Sequence, residues 1–448
     1  MTGPGDETSG HPRPPSHDAP TIGIVADDIT GATDVAGALT DVGLRTTLVF
    51  GVPDAADLTT SRCDAVVVAL KSRTLPPLQA VEQSVASLER LRDSGVTRFY
   101  LKYCSTFDST EEGNIGPVAD AAMALLGSHH VVHLPAYPAN GRTVYQGHLF
   151  VGRHLLSESG MEHHPLTPMT DPNLVRFLAH QTQAGVTLLP LEVLRSGSAP
   201  SAIRNLLRAE PVGQATHIIA DSITNEDLDA VATASVAHDS ALLAGGAAYA
   251  AAWGRALGLG RQPSPFVLPG LDTGPAAVLV GSASSATRRQ VAAFEADHPT
   301  RRLTADGLQC PERLADELVA WAAGLMAEQP VLIAADTTPA GIDATRQRFG
   351  HEAASARIER ALGLVAKGLV TAGVRRLVVA GGETSGAVAQ ALGIRSVRIG
   401  PSICPGVPWT ASSDPDIAIA FKSGNFGGDD FFAEALRLPC RPQTEERP

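Results

Sequence analysis

The chain has 448 residues, too many for one ordinary hydrophobic core, and its 44% hydrophobic and 18% charged content is typical of globular domains. Its 35 basic and 47 acidic residues give a formal net charge of −12, which argues against the basic surface that non-specific nucleic-acid binding requires. No apolar run reaches membrane-spanning length, and the five cysteines are widely spaced without a CxxC pair. We therefore expect a cytoplasmic protein with small-molecule partners and with no nucleic acid or membrane. The sequence leaves open whether it forms a homo-oligomer.

Short apolar runs alternate with helical segments along most of the chain, which predicts the α/β fold class. The predicted strands of the first half are 21–26, 65–70, 98–102, 130–134 and 217–220. A second series of strands comprises 277–280, 331–335 and 376–380. The alanine-rich stretch 241–259 predicts a packed helix, and the glycine- and proline-rich stretch 258–275 has the composition of a linker. We therefore predict two open α/β-sheet domains facing a central cleft, over 21–265 and 266–440, with a disordered leader 1–20 and a short tail 441–448.

Ligands of open α/β sheets bind beyond the carboxyl ends of the strands, so the loops that follow predicted strands carry the candidate residues. Asp27 and Asp28 directly follow the first strand. Two adjacent carboxylates there can hydrogen-bond sugar hydroxyls or accept a proton, whereas a helix N-cap would need only one of them. A functional role is therefore favoured over capping alone.

Two further loops of the first half are unusually polar. Lys102 closes a predicted strand, and the run that follows contains Asp108 and four Ser and Thr hydroxyls, of which Ser105 is the first. Asn140 and Arg142 follow the strand 130–134, where Asn-Gly by itself explains a tight turn and the arginine could bind a carboxylate through two hydrogen bonds.

Glycine-rich loops distinguish the second half. The run Gly381-Gly382-Glu383-Thr384 lies between a predicted strand and a helix, where free backbone amides can bind a phosphate. The run Lys422-Ser-Gly424-Asn-Phe-Gly is a second candidate for nucleotide contacts. Neither is a Walker A or GxGxxG sequence, so the motifs favour a nucleotide site without a known phosphate-loop signature.

Lysine is rare here, and only four of the 35 basic residues are lysines: Lys71, Lys102, Lys367 and Lys422. Each is a candidate for a place where a compact ammonium is preferred to a guanidinium. Lys367, within a predicted helix, is most simply a surface residue.

In this order the motifs resemble those of the four-carbon acid sugar kinase family, over about residues 21–436. They are Ala-Asp-Asp-Ile-Thr-Gly-Ala (26–32), Lys-Tyr-Cys-Ser-Thr-Phe-Asp-Ser-Thr (102–110), Gly-Asn-Ile-Gly (113–116), Asn-Gly-Arg-Thr (140–143), Gly-Gly-Glu-Thr (381–384) and Lys-Ser-Gly-Asn-Phe-Gly (422–427). The second motif, together with His-Pro-Leu-Thr-Pro-Met-Thr-Asp (164–171), is most similar to the branch that phosphorylates 3-oxo-tetronate.

The resemblance implies that the first domain binds the acid sugar, that the second binds ATP, and that transfer takes place across the cleft. Carried over residue by residue, the family's nucleotide contacts fall on Gly381, Gly382, Glu383, Thr384 and Gly424. A family stretch Ser-Gly-Ser-Cys-Ser corresponds to 280–284, where Val280 replaces the leading serine. Contacts there would come from Gly281 and Ser282.

On this basis the sequence predicts transfer of the ATP γ-phosphoryl group to O4 of 3-oxo-tetronate with Mg²⁺ bridging the phosphates. Lys102 and Arg142 would hold the substrate carboxylate, with Ser105 and Asn140 lining the site. Asp27 or Asp28 would orient or deprotonate the hydroxyl, and Asp108 is the alternative base.

Other functions stay open. The same fold could phosphorylate D-threonate, L-threonate or D-erythronate, or could be a non-catalytic sensor of nucleotide and sugar acid. A nicotinamide-dependent oxidoreductase is disfavoured because the dinucleotide fingerprint is missing.

Overall fold

The computed structural model describes residues 21–59, 63–164, 166–198, 201, 215–237, 242–260 and 274–437. Strands alternate with helices through both halves of the chain, as the apolar runs predict. Several parallel strands, among them β1, β3, β12 and β14, are buried along their whole length, which is expected of strands covered on both faces. The predicted leader, the predicted tail and the predicted domain boundary near 265 lie outside the described residues.

The first half contains eleven strands among its described residues. They are β1 (Ile22–Ala26), β2 (Thr46–Phe50), β3 (Ala65–Ala69), β4 (Arg98–Lys102), β5 (His130–Leu134), β6 (Arg142–Tyr145), β7 (His148–Val151), β8 (His154–Leu155), β9 (Gly185–Leu189), β10 (Thr216–Ala220) and β11 (Leu242–Gly245). The described α-helices are α1 (Ile29–Asp41), α2 (Ala55–Thr59), α3 (Pro77–Asp93), α4 (Ile115–Leu126), α5 (Leu174–Ala179), α6 (Leu191–Val193), α7 (Asn225–Ala237) and α8 (Ala247–Ala256). Strands β6, β7 and β8 form a small separate sheet.

The second half repeats the alternation and ends in an antiparallel hairpin. Its strands are β12 (Ala276–Val280), β13 (Thr300–Leu303), β14 (Val331–Ala335), β15 (Arg376–Ala380), β16 (Ser396–Cys404), β17 (Val407–Ser413) and β18 (Asp416–Lys422). Its described α-helices are α9 (Ser285–Glu295), α10 (Pro311–Ala323), α11 (Pro339–Phe349), α12 (His351–Thr371), α13 (Gly382–Ala391) and α14 (Phe431–Arg437).

The two predicted sheets are joined edge to edge. A 15-stranded sheet runs in the order β13-β14-β12-β15-β18-β17-β16-β2-β3-β1-β4-β11-β5-β10-β9. The junction is the antiparallel pair β16–β2, with Val397 opposite Leu48, and next to it Arg395 binds the carboxylates of Asp54 and Asp57 at 2.9 and 2.6 Å. Pairing two edge strands satisfies backbone groups that would otherwise be exposed. The two halves of the chain therefore share one continuous sheet.

The alanine-rich stretch corrects one prediction. The sequence predicts a helix over 241–259, but Leu242–Gly245 is the buried strand β11 between β4 and β5, and the helix begins only at Ala247. Gly245 has φ +151°, and Gly246 lies so close to Pro135 that a Cβ would be 2.8 Å from its carbonyl oxygen. These two glycines turn the chain from strand to helix.

Replacing Gly245 with alanine should destabilise the protein by at least about 2 kcal/mol. The new Cβ would lie 2.1 Å from the Leu134 carbonyl oxygen, in a backbone conformation that alanine disfavours. Gly127→Ala is the matched control, because Gly127 also has positive φ (+65°) but open space around it, and it should cost about 1 kcal/mol. Urea unfolding measures both, and equal losses would contradict the role of the Leu134 contact.

A chain of hydrogen bonds crosses the core of the first half. The Tyr103 hydroxyl lies 3.0 Å from His133 Nδ1, His133 Nε2 lies 2.9 Å from His217 Nδ1, and His217 Nε2 lies 2.8 Å from Asp120 Oδ1. Burial, reinforced by His217, holds the pKa of His133 well below its ordinary value. The chain ties β4, β5 and β10 to α4 and so fixes the end of β4, from which Lys102 projects.

Among the described residues, no helix is both long and apolar enough to cross a membrane.

Candidate active site

Three loops of the first half leave neighbouring strand ends. The pairing of β1 with β3 and β4 puts Ala26 opposite both Ala69 and Lys102. The residues that follow these strands therefore lie side by side at the carboxyl edge of the sheet, where ligands of open α/β sheets bind. They include the aspartates at 27 and 28, the segment 71–73 and the polar run 102–110.

Arg73 binds the predicted acid pair. Its Nε and Nη2 donate to the two carboxylate oxygens of Asp27 at 2.9 and 2.7 Å, and Nη2 also donates to Asp28 at 2.5 Å. Its Nη1 lies 4.0 Å from the carboxylate of Asp108, the third predicted acid. One guanidinium thus brings together all three carboxylates that the sequence singled out.

The environment separates the pKa values of the acid pair. Burial raises the pKa of Asp27 even though Arg73 opposes the rise. Burial also acts to raise the pKa of Asp28, but Arg73, Lys102 and a hydrogen bond from the Thr30 hydroxyl together lower it. Asp28 therefore stays ionised, while a proton binds Asp27 more readily.

Asp28 is also the N-cap of α1. Its Oδ1 accepts the amide hydrogen of Gly31 at 3.0 Å, and the Thr30 hydroxyl donates to Oδ2 at 2.5 Å. The two roles considered from the sequence, helix cap and member of a polar site, thus fall on the same side chain. The cap fixes the carboxylate relative to the first turn of α1.

Asn114 supports the loop that carries Arg73. Its side-chain amide donates to the carbonyl oxygens of Ser72, Arg73 and Leu75 at 2.9, 3.2 and 3.1 Å. In the same motif, a Cβ on Gly116 would lie 2.8–3.0 Å from Gln181. The Gly-Asn-Ile-Gly motif therefore holds the loop in place behind the site.

Lys102 is the buried cation of the first half, with 4% of its surface exposed. Its Nζ donates to the Tyr103 carbonyl oxygen at 2.9 Å and lies 3.0 Å from the point that a Cβ on Gly31 would occupy. The ammonium thus faces the first turn of α1. In the following loop Phe107 is held at φ +55°, a strained conformation for a phenylalanine, and Thr106 donates to Asp108 at 2.5 Å.

The loop after β5, which carries Asn140 and Arg142, makes its hydrogen bond within itself. The Arg142 guanidinium donates to the Asn140 carbonyl oxygen, while its buried Nε has no hydrogen-bond partner. Within the described part of the chain, neither residue contacts the Arg73 cluster through a hydrogen bond or ion pair. Ser105 is partly exposed in the loop after β4. An unpaired buried Nε is costly unless a ligand accepts its hydrogen, which favours a carboxylate beside Arg142.

The three predicted nucleotide loops converge in the second half. A Cβ on Gly281 would lie 2.0 Å from the Thr384 hydroxyl, and one on Gly381 would lie 3.2 Å from the Ser282 amide nitrogen. The Gly424 carbonyl oxygen accepts from the hydroxyl of Ser284 at 2.6 Å. Helix α13 begins at Gly382 without a side-chain cap. Its free amides form an anion-binding end beside two close-packed loops.

A pocket of about 150 Å³ adjoins these loops. Gly281 and Ala283 line one side, and the carboxylate of Asp336 lies at the end of β14. The lining also includes apolar side chains from Leu303, Leu308, Ile342 and Ile358. Polar ones come from Thr337, Thr345, Arg346 and Ser355. Apolar walls with a few polar groups suit a flat heterocycle carrying hydroxyls.

Lys422 does not point into this pocket. It is fully buried, and its ammonium donates to the carbonyl oxygens of Ser423 and Gly424 at 2.8 and 3.0 Å. Burial lowers the pKa of Lys422 to about 8. It therefore supports the loop from behind.

The two halves meet at their loops. Lys71 of the first half binds Glu383 of the second at 3.2 Å, and a Cβ on Gly382 would lie 3.8 Å from the methyl group of Thr30. The first turn of α1 therefore faces the first turn of α13. A group bound at one of these helix ends lies close to a group bound at the other.

Sequence reasoning singled out neither Arg73 nor Asn114 for the roles they have, and it left Lys71 without a role. Arg73 follows the predicted strand 65–70, so the rule that found the other loops would have found it. Asn114 is part of the Gly-Asn-Ile-Gly motif, whose sequence alone does not indicate which loop it supports.

In a comparison with known proteins, two family models match different parts of the chain. Residues 22–253 match a family model described as a sugar-binding N-terminal domain, and residues 277–432 match one described as a nucleotide-binding C-terminal domain. The fold and the site thus define a protein with a sugar site and a nucleotide site on one sheet. The chain belongs to the four-carbon acid sugar kinase family.

Curated relatives cover nearly the whole chain. It is 48% identical over 424 residues to a 3-oxo-tetronate kinase of Burkholderia multivorans, covering 93% of this chain and 97% of that protein. It is also 48% identical over 426 residues to a 3-oxo-tetronate kinase of Cupriavidus necator, with the same coverage. Among solved structures, a Salmonella typhimurium LT2 protein provisionally described as a tRNA synthase is 39% identical, with a TM-score of 0.82 over 93% of this chain and 99% of that one.

Proposed function

We propose that the protein transfers the γ-phosphoryl group of ATP to O4 of 3-oxo-tetronate, giving 3-oxo-tetronate 4-phosphate. The observation that carries the proposal is the meeting of two helix ends: α1 with the Arg73 cluster, and α13 with free amides and glycine loops. The names of the curated relatives support this acceptor. Threonate and erythronate are the alternative acceptors.

The acid sugar would bind in the first half. Lys102 and Arg142 would hold its carboxylate, since one offers a buried ammonium and the other an unpaired Nε. Ser105 and Asn140 would line the rest of the site. Asp27, Asp28 and Asp108 would orient the acceptor hydroxyl, with Arg73 holding the three carboxylates in fixed positions.

ATP would bind in the second half. The base and ribose fit the pocket beside Gly281 and Asp336, and the phosphates fit the amide end of α13. The residues proposed to contact the nucleotide are Gly281, Ser282, Gly381, Gly382, Glu383, Thr384 and Gly424. Their close packing means that even a methyl group would narrow the phosphate site.

Mg²⁺ would bind together with ATP, as the Mg²⁺–ATP complex. The described residues contain no cluster of three or more His, Cys, Asp or Glu side chains that could hold a metal ion. This fits Mg²⁺, which keeps several waters and binds mainly through substrate phosphates and one or two carboxylates. Glu383, largely exposed next to the α13 amides, would supply such a carboxylate. When bound, the ion neutralises charge on the phosphates.

We place the boundary between the sugar-binding and nucleotide-binding domains near residue 265, between the two matched regions. Closure of the two around their ligands would exclude water from the reaction. The ion pair between Lys71 and Glu383 would have to adjust when phosphates bind at the same helix end.

The proposed function predicts ADP release that depends on a four-carbon sugar acid. ADP formation is measured with ATP and Mg²⁺ against 3-oxo-tetronate, generated in situ by a dehydrogenase, and against D-threonate, L-threonate and D-erythronate. We expect kcat/KM for the oxo acid to exceed that for each hydroxy acid by at least about tenfold. Turnover of only a hydroxy acid would mean that this acid, and not 3-oxo-tetronate, is the phosphoryl acceptor. Binding of ATP without any turnover would favour a sensor.

A further inference from the structure

Asp34 is a fourth carboxylate near the cleft, and it has no assigned role. It lies on α1, one turn after Gly31 and on the same face. The Lys102 ammonium lies against Gly31 on this face. From the other half, Gly406 in the turn between β16 and β17 comes so close that a Cβ there would lie 3.3 Å from Asp34 Oδ1. The carboxylate therefore stands where the two halves meet.

The other three carboxylates are already engaged. Asp27 accepts two hydrogen bonds from Arg73, Asp28 accepts from Arg73 and caps α1, and Asp108 accepts from Thr106. Within the described part of the chain, the Asp34 carboxylate accepts no hydrogen bond. A group that must take up a proton needs an oxygen that is not held by a permanent cation.

The charged surroundings of Asp34 suit proton uptake near neutrality. Burial raises the pKa of Asp34 to about 6, with Asp28 adding to the rise and Lys102 opposing it. The charge of Asp34 also acts on two tyrosines. Burial is the main cause of the raised pKa of Tyr137 and of Tyr100, and Asp34 adds to both shifts. The turn at Gly406 brings no titratable side chain of its own. Above pH 6 Asp34 is a carboxylate beside a buried ammonium.

We propose that Asp34 is the general base that takes the proton of the acceptor hydroxyl during phosphoryl transfer. The O4–H bond breaks as O4 bonds to the γ-phosphorus, the bond from the γ-phosphorus to the β,γ-bridging oxygen breaks, and ADP leaves with that electron pair. The proton passes to an Asp34 oxygen and from there to solvent when the cleft opens. This role rests on the proposed kinase activity, with Asp27, Asp28 and Asp108 as positioning groups.

The test compares Asp34→Asn with wild type and with Asp41→Asn, a control on the same helix whose carboxyl pKa is also raised by burial. With ATP, Mg²⁺ and 3-oxo-tetronate, kcat/KM of the wild type should rise with pH through about 6. Asp34→Asn should lower kcat at least about a hundredfold and abolish the rise of kcat/KM with pH. Asp41→Asn should keep the wild-type kcat and the rise of kcat/KM with pH.

Stability separates a catalytic from a structural role. The folded-state pKa of Asp34 lies above its unfolded value, so its contribution to stability is present at low pH and is lost as pH rises from about 4 to 6. Asp34→Asn should therefore keep or raise Tm at pH 7.5 and should still be stabilised by ADP. A kcat within tenfold of wild type, or a lower Tm accompanied by loss of ADP binding, would overturn the proposal. Absence of turnover in the wild type would refute the kinase assignment instead.

Discussion

Replacing Arg73 with glutamine should cost about 3 kcal/mol of unfolding free energy and lower turnover at least about a hundredfold. Three carboxylates depend on this one guanidinium, and all of them are largely buried, with side-chain exposures of 15, 24 and 11% for Asp27, Asp28 and Asp108. Without Arg73, Asp27 and Asp28 would be adjacent negative charges without a bound counterion. Urea unfolding and ADP release measure the two effects.

The loss of stability should depend on pH. Arg73 is the strongest influence that lowers the pKa of Asp28, so the stability that it contributes is present above the unfolded pKa of an aspartate and is lost on acidification. The gap in unfolding free energy between variant and wild type should therefore narrow as the pH falls through about 4 and below. A gap that is constant over this range would mean that the guanidinium acts through packing rather than charge.

Arg176→Gln is the matched control for Arg73. Arg176 also binds an aspartate, Asp171, through two hydrogen bonds of 2.6 Å, but 61% of its side chain is exposed. Exposed ion pairs contribute little to stability, so this variant should have nearly the unfolding free energy of wild type and should keep full turnover. Equal losses in the two variants would contradict the special position of Arg73.

Replacing Lys102 with methionine should lower kcat/KM for the sugar acid about a hundredfold or more, mainly through KM. Methionine has nearly the same length, so the variant removes the ammonium and leaves the apolar stem. Lys102 is buried, and the group that we propose as its charge partner is the substrate carboxylate. Truncating one partner of a buried charge pair costs several kcal/mol.

ATP binding provides the internal control for Lys102→Met, because the lysine lies in the sugar-binding half and the nucleotide loops lie in the other. The KM for ATP should stay within about twofold of wild type. Lys367→Met, in α12, should change neither the KM for the sugar acid nor the KM for ATP. A Lys102→Met variant with an unchanged KM for the acid would place the substrate carboxylate elsewhere.

The sequence predicts the parallel part of the fold well, and the reason is physical. Strands such as 98–102, 130–134, 331–335 and 376–380 are covered on both faces, so their residues are mostly apolar and the predicted bounds agree with those in the structure. Less uniform segments are harder to identify. The antiparallel hairpin β16–β18 contains polar residues and a turn, and β11 resembles the helix that follows it because both are rich in small apolar residues.

The candidate site could be located from the sequence, but its internal pairing could not. The strand-end rule placed Asp27, Lys102 and the glycine loops on one edge, since it depends only on the order of strands. Which carboxylate is paired depends on side-chain geometry, so Arg73 and Asp34 become visible only in the structure. The Lys422 ammonium faces inward for a similar reason: the Ser423 and Gly424 carbonyl oxygens are its nearest acceptors.

The most direct measurement is ³¹P NMR of the product formed from ATP and 3-oxo-tetronate by the wild-type protein. Transfer to O4 attaches the phosphate to a CH₂ group, so we predict a phosphomonoester resonance that the two CH₂ protons split into a triplet, together with one equivalent of ADP. A doublet would place the phosphate on the secondary hydroxyl. Inorganic phosphate as the only new resonance, or no new resonance with any of the four-carbon acids, would contradict the kinase assignment.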